Sequence, residues 1–220
     1  MKCLGFDPSM SNFGWALHDT EGVGSNRCLA RGRFQTSSKT LFIDRYTEMR
    51  ESVRRLVEDL GVQYGVFRVG VEYPVFKELY SEGMYGLFLY TCEALRATKA
   101  DVVFFSPLQV KAHARGMLKR PPGWIMNKPD MVEAAKKDTG GRGSWNHNEA
   151  DAYWIASVAA RFWLLHDGVI GAGDLTPLEQ KQFMEVHTFQ RGGRKGQTIQ
   201  KGILYREDNR FFRWSNEEDI

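Results

Sequence analysis

The order of its short apolar runs constrains this chain more than any other feature. The first three, Lys2 to Phe6, Phe13 to His18 and Arg27 to Phe34, are separated only by turn-forming residues, Glu21-Gly22 and Gly24-Ser25-Asn26 among them, and predict an antiparallel meander. From Phe42 to Leu60 the apolar positions Phe42, Tyr46, Met49, Val53, Leu56 and Leu60 recur every three or four residues, the spacing of an amphipathic helix that Gly61 would close. Strands and helices then alternate. Val66 to Glu72 reads as a strand, Ser81 to Ala97 as a helix, and Asp101 to Phe105 as a strand whose VVFF run suits a sheet covered on both faces. Ser106-Pro107 caps a helix to about Arg115, Lys128-Pro129 opens another to about Lys137, and a last long helix runs from near Asn148 to Gly168. The sum is an α/β domain over residues 1–168, a mixed five-stranded sheet flanked by helices. A basic C-terminal extension, 169–220, follows with a short helix capped at Thr176 and a hairpin between Phe189 and Trp214.

Composition narrows the class. A chain of 220 residues with 42% hydrophobic and 26% charged residues has an ordinary globular balance, and 13% aromatic residues argue against disorder. A net charge of +3 permits a polyanionic partner without demanding one. Cys3, Cys28 and Cys92 are an odd number at spacings of neither a disulfide framework nor a zinc site, which suits a reducing cytoplasm. No opening basic segment precedes a long apolar stretch and no apolar run approaches the roughly 18 residues of a membrane span, so neither export nor insertion is expected.

Acids stand at the ends of two predicted strands, Asp7 and Glu72. If those strands are parallel neighbours, both carboxylates leave the same edge of the sheet; the plainer reading of each is a turn former. Asp151 adds weight to the first reading. With Ile155, Val158, Phe162 and Leu165 it falls at i, i+4, i+7, i+11 and i+14 of the last helix, on the apolar side. A carboxylate there is costly unless paired. The helix N-terminus eases that cost, and a cation shared with Asp7 and Glu72 would remove most of the rest. Three or four carboxylate oxygens without a His and Cys pattern suit Mg2+ or Mn2+. Two such ions about 4 Å apart would activate a water and stabilise a leaving phosphodiester oxygen, which is nuclease chemistry.

The blocks LGFDPSMSNFGWAL, VGVEYP, FSPLQVKAHARG, NKPDMVEAAKK and NEADAYWIASVA, in this order over about residues 1–166, resemble the RuvC-type Holliday junction resolvases of the RNase H-like superfamily. The length is more like that of a bacteriophage member, which would act in the cytoplasm of an infected bacterium. The resemblance implies that Asp7, Glu72 and Asp151 are metal ligands, that Lys111 and Lys128 stand near the scissile phosphate, and that the protein is a homodimer on branched DNA. One position departs from the family pattern, which has Asp or His three residues before the last Asp. Here that residue is Asn148, which shares a face with Asp151 and can offer one neutral oxygen as a metal ligand, but lacks the charge that holds a second ion. Either this is a natural variant that uses His147 or Glu149, or an Asp has been replaced by Asn and junctions are bound but cut poorly.

Between residues 111 and 137, Lys111, Arg115, Lys119, Arg120, Lys128, Lys136 and Lys137 form a basic run that reads as a solvated face or, beside a phosphodiester site, as a phosphate track. The tail adds Arg191, Arg194, Lys195, Lys201, Arg206, Arg210 and Arg213 among Phe211, Phe212 and Trp214, either a DNA-binding hairpin or a brace on the core. By the resemblance an aromatic after Glu72, Tyr73 or Phe76, would stack on an unpaired base; a buried ring is the alternative. The Gly-punctuated helix from Ser81 to Ala97 is a candidate dimer interface, or packs on the sheet. Three other readings stay open: an RNase H-like nuclease for hybrids or flaps, half of an actin-like sugar kinase, and a non-catalytic junction-binding protein. Against the kinase, there is no second glycine-rich phosphate loop.

Overall fold

The structure, a computed structural model, describes residues 1–65, 67–74, 81–121, 123–141, 143–184, 186–188, 198–200, 204–207 and 210–213. Strands β1 (Lys2–Asp7), β2 (Phe13–Asp19) and β3 (Cys28–Phe34) form the expected antiparallel meander. Helix α1 (Phe42–Tyr64) carries the chain back to β4 (Arg68–Glu72), which pairs parallel to β1, and α2 (Ser81–Ala97) does the same for β5 (Val102–Phe105), parallel to β4. The five-stranded mixed sheet therefore has the order β3-β2-β1-β4-β5. Helices α3 (Pro107–Leu118), α4 (Lys128–Asp138), α5 (His147–His166) and α6 (Pro177–Met184) follow. Strands β6 (Val186–Thr188) and β7 (Thr198–Gln200) pair with each other. Strands β8 (Leu204–Glu207) and β9 (Arg210–Arg213) form a hairpin whose first strand adds antiparallel to β5, extending the sheet to seven strands. This part of the tail braces the core: the Tyr205 ring lies 5.7 Å from that of Phe162 and 5.8 Å from that of Trp163. Arg191, Arg194, Lys195, Lys201 and Trp214 lie outside the described residues.

Period-two alternation divides the core between the two faces of the sheet. Leu4, Phe6, Val69, Val71, Val102 and Phe104 pack with Met49 and Val53 of α1 and Leu87 and Leu95 of α2. Cys3, Ala16, Val103 and Phe105 face the other way, into a layer built on α5 with α3, α4 and α6 around it. The sequence predicts a single apolar stripe on α5, whereas the helix is buried around nearly its whole circumference, Tyr153, Ile155, Phe162 and Trp163 completely. It runs through the centre of a layer rather than along its surface.

Local signals account for most element starts. Ser106 with Gln109, Asn127 with Asp130, and Asn146 with Glu149 form reciprocal capping boxes at α3, α4 and α5, and Thr176 with Glu179 does so at α6. Gly61 is the exception. It lies inside α1, and the helix ends at Gly65, whose φ of 80° is left-handed and whose N–H bonds the Gly61 carbonyl at 3.0 Å. The small residues of α2 are used within the chain: Tyr46 of α1 donates its hydroxyl to the Gly83 carbonyl at 3.1 Å, and a Cβ on Gly86 would come within 2.8 Å of its ring. Among the described residues no helix is long and apolar enough to cross a membrane.

Candidate active site

Three glycines set how closely α5 lies on the sheet. A Cβ added to Gly5 of β1 would stand 2.0 Å from the Ala152 carbonyl oxygen, one on Gly14 of β2 would stand 2.2 Å from the Asn148 carbonyl oxygen, and one on Gly70 of β4 would meet the Ala159 methyl at 2.7 Å. Backbone against backbone, the helix fits only because these positions have no side chain. The same alternation fixes the acids. Since Cys3 and Gly5 face α5, so does Asp7, and since Gly70 does, so does Glu72. The register of β1 on β4, with Phe6 opposite Val71, puts the two strand-end acids side by side. Asp151, in the second turn of α5, is on the part of the helix that crosses this end of the sheet.

The electrostatics register that convergence. Burial, then the charges of Glu72 and Asp151, hold the Asp7 carboxyl well above the usual carboxylate range, against the opposing pull of Lys128 and Lys111. Burial and then Asp151 push Glu72 up to about 7, with Lys111 opposing. Burial raises Asp151 to about 6, with Lys111 and Lys128 opposing. Lys111 of α3 and Lys128 at the start of α4 thus belong to the same locality as the three acids. Among the described residues the Asp151 Oδ1 atom is buried and has no hydrogen-bond partner. Among the described residues no three His, Cys, Asp or Glu side chains are drawn to a single ligating point. The acids are neighbours that repel one another, and an orphaned, buried carboxylate oxygen with like charges around it fits a hard divalent cation.

The other expected site residues divide. Asn148, 7% exposed, donates its side-chain amide to the backbone carbonyl of Asn12. Glu149 turns to β3, where Arg31 Nε donates to it at 3.2 Å, and it closes the Asn146 cap. His147 remains near the site; burial, then Lys128 and Arg33, lower its pKa. Tyr73 is half-buried and packs its ring edge-on against Phe88, 5.3 Å between centroids, beside the α1 and α2 layer; Phe76 lies outside the described residues. Arg120 is engaged within the chain, 3.4 Å from Glu133 and 3.8 Å from Asp130, and covers the Trp124 ring. Arg115 sits in the last turn of α3 and Lys119 caps that helix in a left-handed conformation. Lys119 lines a cavity of about 830 Å³ with His18, His113, Trp154, Ser157 and Arg161, which contains none of the three acids.

Sequence reasoning missed the three glycines, although a glycine inside a strand is itself a signal of close backbone approach. It also missed Arg45, 6% exposed, which holds the turn after Asp7.

With that geometry in place, the chain is similar to two solved structures: Thermus thermophilus RuvC in complex with a Holliday junction substrate, at 19% identity and a TM-score of 0.61, and T. thermophilus RuvC, at 19% identity and a TM-score of 0.58. The match covers 74% of this chain in both cases, and 96% and 97% of the other. The fold is thus RuvC-like, an RNase H-like mixed sheet with flanking helices. No protein-family model matches the chain, and no curated protein does.

Proposed function

We propose that the protein is a metal-dependent endonuclease that cuts four-way or otherwise branched DNA, with a place in recombination or repair. The observation that carries this reading is the buried, mutually repelling group Asp7, Glu72 and Asp151 with the unpartnered Asp151 oxygen. The fold it sits in is shared with a protein solved on a Holliday junction. Asp7, Glu72 and Asp151 would hold Mg2+ or Mn2+, two per site, which when bound supplies an activated water and charge opposite the leaving oxygen. Lys111 and Lys128 lower the pKa of Asp7 and Asp151 and so favour their charged form, and they offer cations to the scissile phosphate. Arg115, Lys119 and Lys136 extend a phosphate track away from the acids; Arg120, committed to Glu133 and Asp130, contributes least.

A homodimer suits a symmetric four-way junction. Its support is an apolar outer surface at the start of α1 and along α2, where Phe42 is 62%, Ile43 54% and Leu89 47% exposed. An origin in a bacteriophage, and with it the cytoplasm of an infected bacterium, rests on chain length alone.

The test is cleavage of a four-way junction, a matching duplex and an RNA–DNA hybrid of the same sequence, with Mg2+ or Mn2+. The reading expects the junction to be cut in preference. Equal cutting of all three assigns a general RNase H-like nuclease instead, and tight junction binding without cutting assigns a junction-binding protein.

A further inference from the structure

The turn from Pro8 to Asn12 leads the chain directly away from Asp7, and both layers of the molecule hold it. From α1, Arg45 donates through Nη2 to the Met10 carbonyl at 2.7 Å and through Nε to Thr36 Oγ1 at 2.9 Å, and Nη2 also lies 3.5 Å from Ser11 Oγ. Thr36 donates its hydroxyl to the same Met10 carbonyl at 2.6 Å. From α5, on the opposite face of the sheet, the Asn148 amide donates to the Asn12 carbonyl; Gln35, just past β3, donates through Nε2 to Asn12 Oδ1 at 2.9 Å. Every oxygen that Arg45 reaches among the described residues is neutral, so a buried cation is held with no described carboxylate in contact, a costly way to fasten a surface turn. What the guanidinium supplies is a rigid fork, which fixes direction as well as distance.

Position 148 is matched to a donor. An Asp there has no N–H to give and would set an anionic oxygen against the lone pairs of the Asn12 carbonyl. We infer that Arg45 and Asn148 are positioning residues: gripping the Met10 and Asn12 carbonyls from the two faces of the sheet, they fix the turn and with it the direction in which Asp7 leaves β1. In this role Asn148 acts through its Nδ2 as a hydrogen-bond donor to the turn, which a charged ligand at this position could not be. The inference rests on the nuclease reading for its purpose, but the clamp itself is independent of it.

Two measurements test this, amide hydrogen exchange at Ser9 to Asn12 in metal-free protein and calorimetric titration with Mn2+, on wild type, Asn148→Asp and Arg45→Lys. Both variants should speed exchange at these amides by about tenfold, the loss of roughly one hydrogen bond, while the middle of α5 keeps its protection. Both should weaken Mn2+ binding by about tenfold, the size expected when a group supporting a ligand is lost, with no added ion in Asn148→Asp. A purely structural role would leave Mn2+ affinity unchanged. Should Arg45→Lys fail to fold, Thr36→Val, which removes the hydroxyl that donates to Met10 and accepts from Arg45, must speed the same amides. Unchanged exchange in the folded variants, or an Asn148→Asp protein that binds Mn2+ more tightly or takes up another ion, overturns the inference. If wild type neither binds Mn2+ nor cuts junctions, the nuclease reading falls, and the exchange data still decide the clamp.

Discussion

The two ends of α5 bury charge in opposite ways. Beside its C-terminal half Glu179, 4% exposed, accepts from Arg161 Nε at 2.8 Å, and Asp138 at the end of α4, although bonded to Tyr153 of the second turn, likewise has its partners in contact, accepting from Arg27 at 2.9 Å and from the Tyr153 hydroxyl. Burial works to raise the Glu179 pKa, yet hydrogen bonds from Arg161 and Thr176 outweigh it and leave it lowered. At the N-terminal end Asp151 keeps a buried oxygen without a partner among the described residues, and Asp7, Glu72 and Asp151 all lie above the ordinary carboxylate range. Charge that serves the fold comes with its neutralising partner in the chain. Charge left without one marks the place where a partner arrives from outside. The 830 Å³ cavity is lined by the paired charges, Arg27 with Asp138 and Arg161 with Glu179, and by none of the three acids.

Exchanging single acids at the two ends should separate them most sharply. Asp7→Asn or Asp151→Asn should cut junction cleavage by at least about a hundredfold, as loss of a charged metal ligand does, with the fold intact by circular dichroism. Glu179→Gln should leave cleavage unchanged and lower stability by about 2–4 kcal/mol in denaturant titration, because Arg161 loses its charged partner. Next in size is Gly5→Ala. Its methyl has no room beside the Ala152 carbonyl, so stability should fall by about 1–3 kcal/mol, and cleavage should fall with it as Asp151 is pushed off the sheet.

A smaller effect depends on pH. Glu72, raised from 4.5 to about 7, holds in the folded state a proton that the unfolded chain releases near 4.5. Its contribution to stability is fully present below about 4.5 and is lost as pH rises through about 7. Metal-free Glu72→Gln should therefore be more stable than wild type at pH 8, by about 1–3 kcal/mol, and no more stable at pH 4. His18 and His113, driven down to about 4 by burial, act in the opposite sense but equally in both proteins, so the difference reports Glu72 together with its repulsion of Asp7. Equal pH dependence in the two would mean that the acids do not repel as described.

Much of this frame was legible in the chain. Asp7 and Glu72 close strands that the order of elements makes parallel neighbours, and Ser106, Asn127 and Asn146 with their partners three residues on announce three helices. The rest depends on contacts no local pattern carries. Gly5, Gly14 and Gly70 mean something together only once three strands are known to face one helix. Gly61 resembles a helix stop because propensity is read locally, while the packing of Val57 and Leu60 carries α1 on to Tyr64. The bond from Asn148 to Asn12 spans 136 positions, and so the residue that departs from the family pattern reads as a deficient ligand until its partner is seen.

The central claim is that a divalent cation completes the acidic end of α5. Calorimetric titration of wild type and Asp151→Asn with Mn2+ at pH 8, repeated at pH 6, tests it most directly. The account predicts binding by wild type at pH 8, weakened at pH 6 as protons compete for Glu72 and Asp151, and lost in Asp151→Asn. An absence of binding by wild type, or the same affinity in Asp151→Asn, would contradict it.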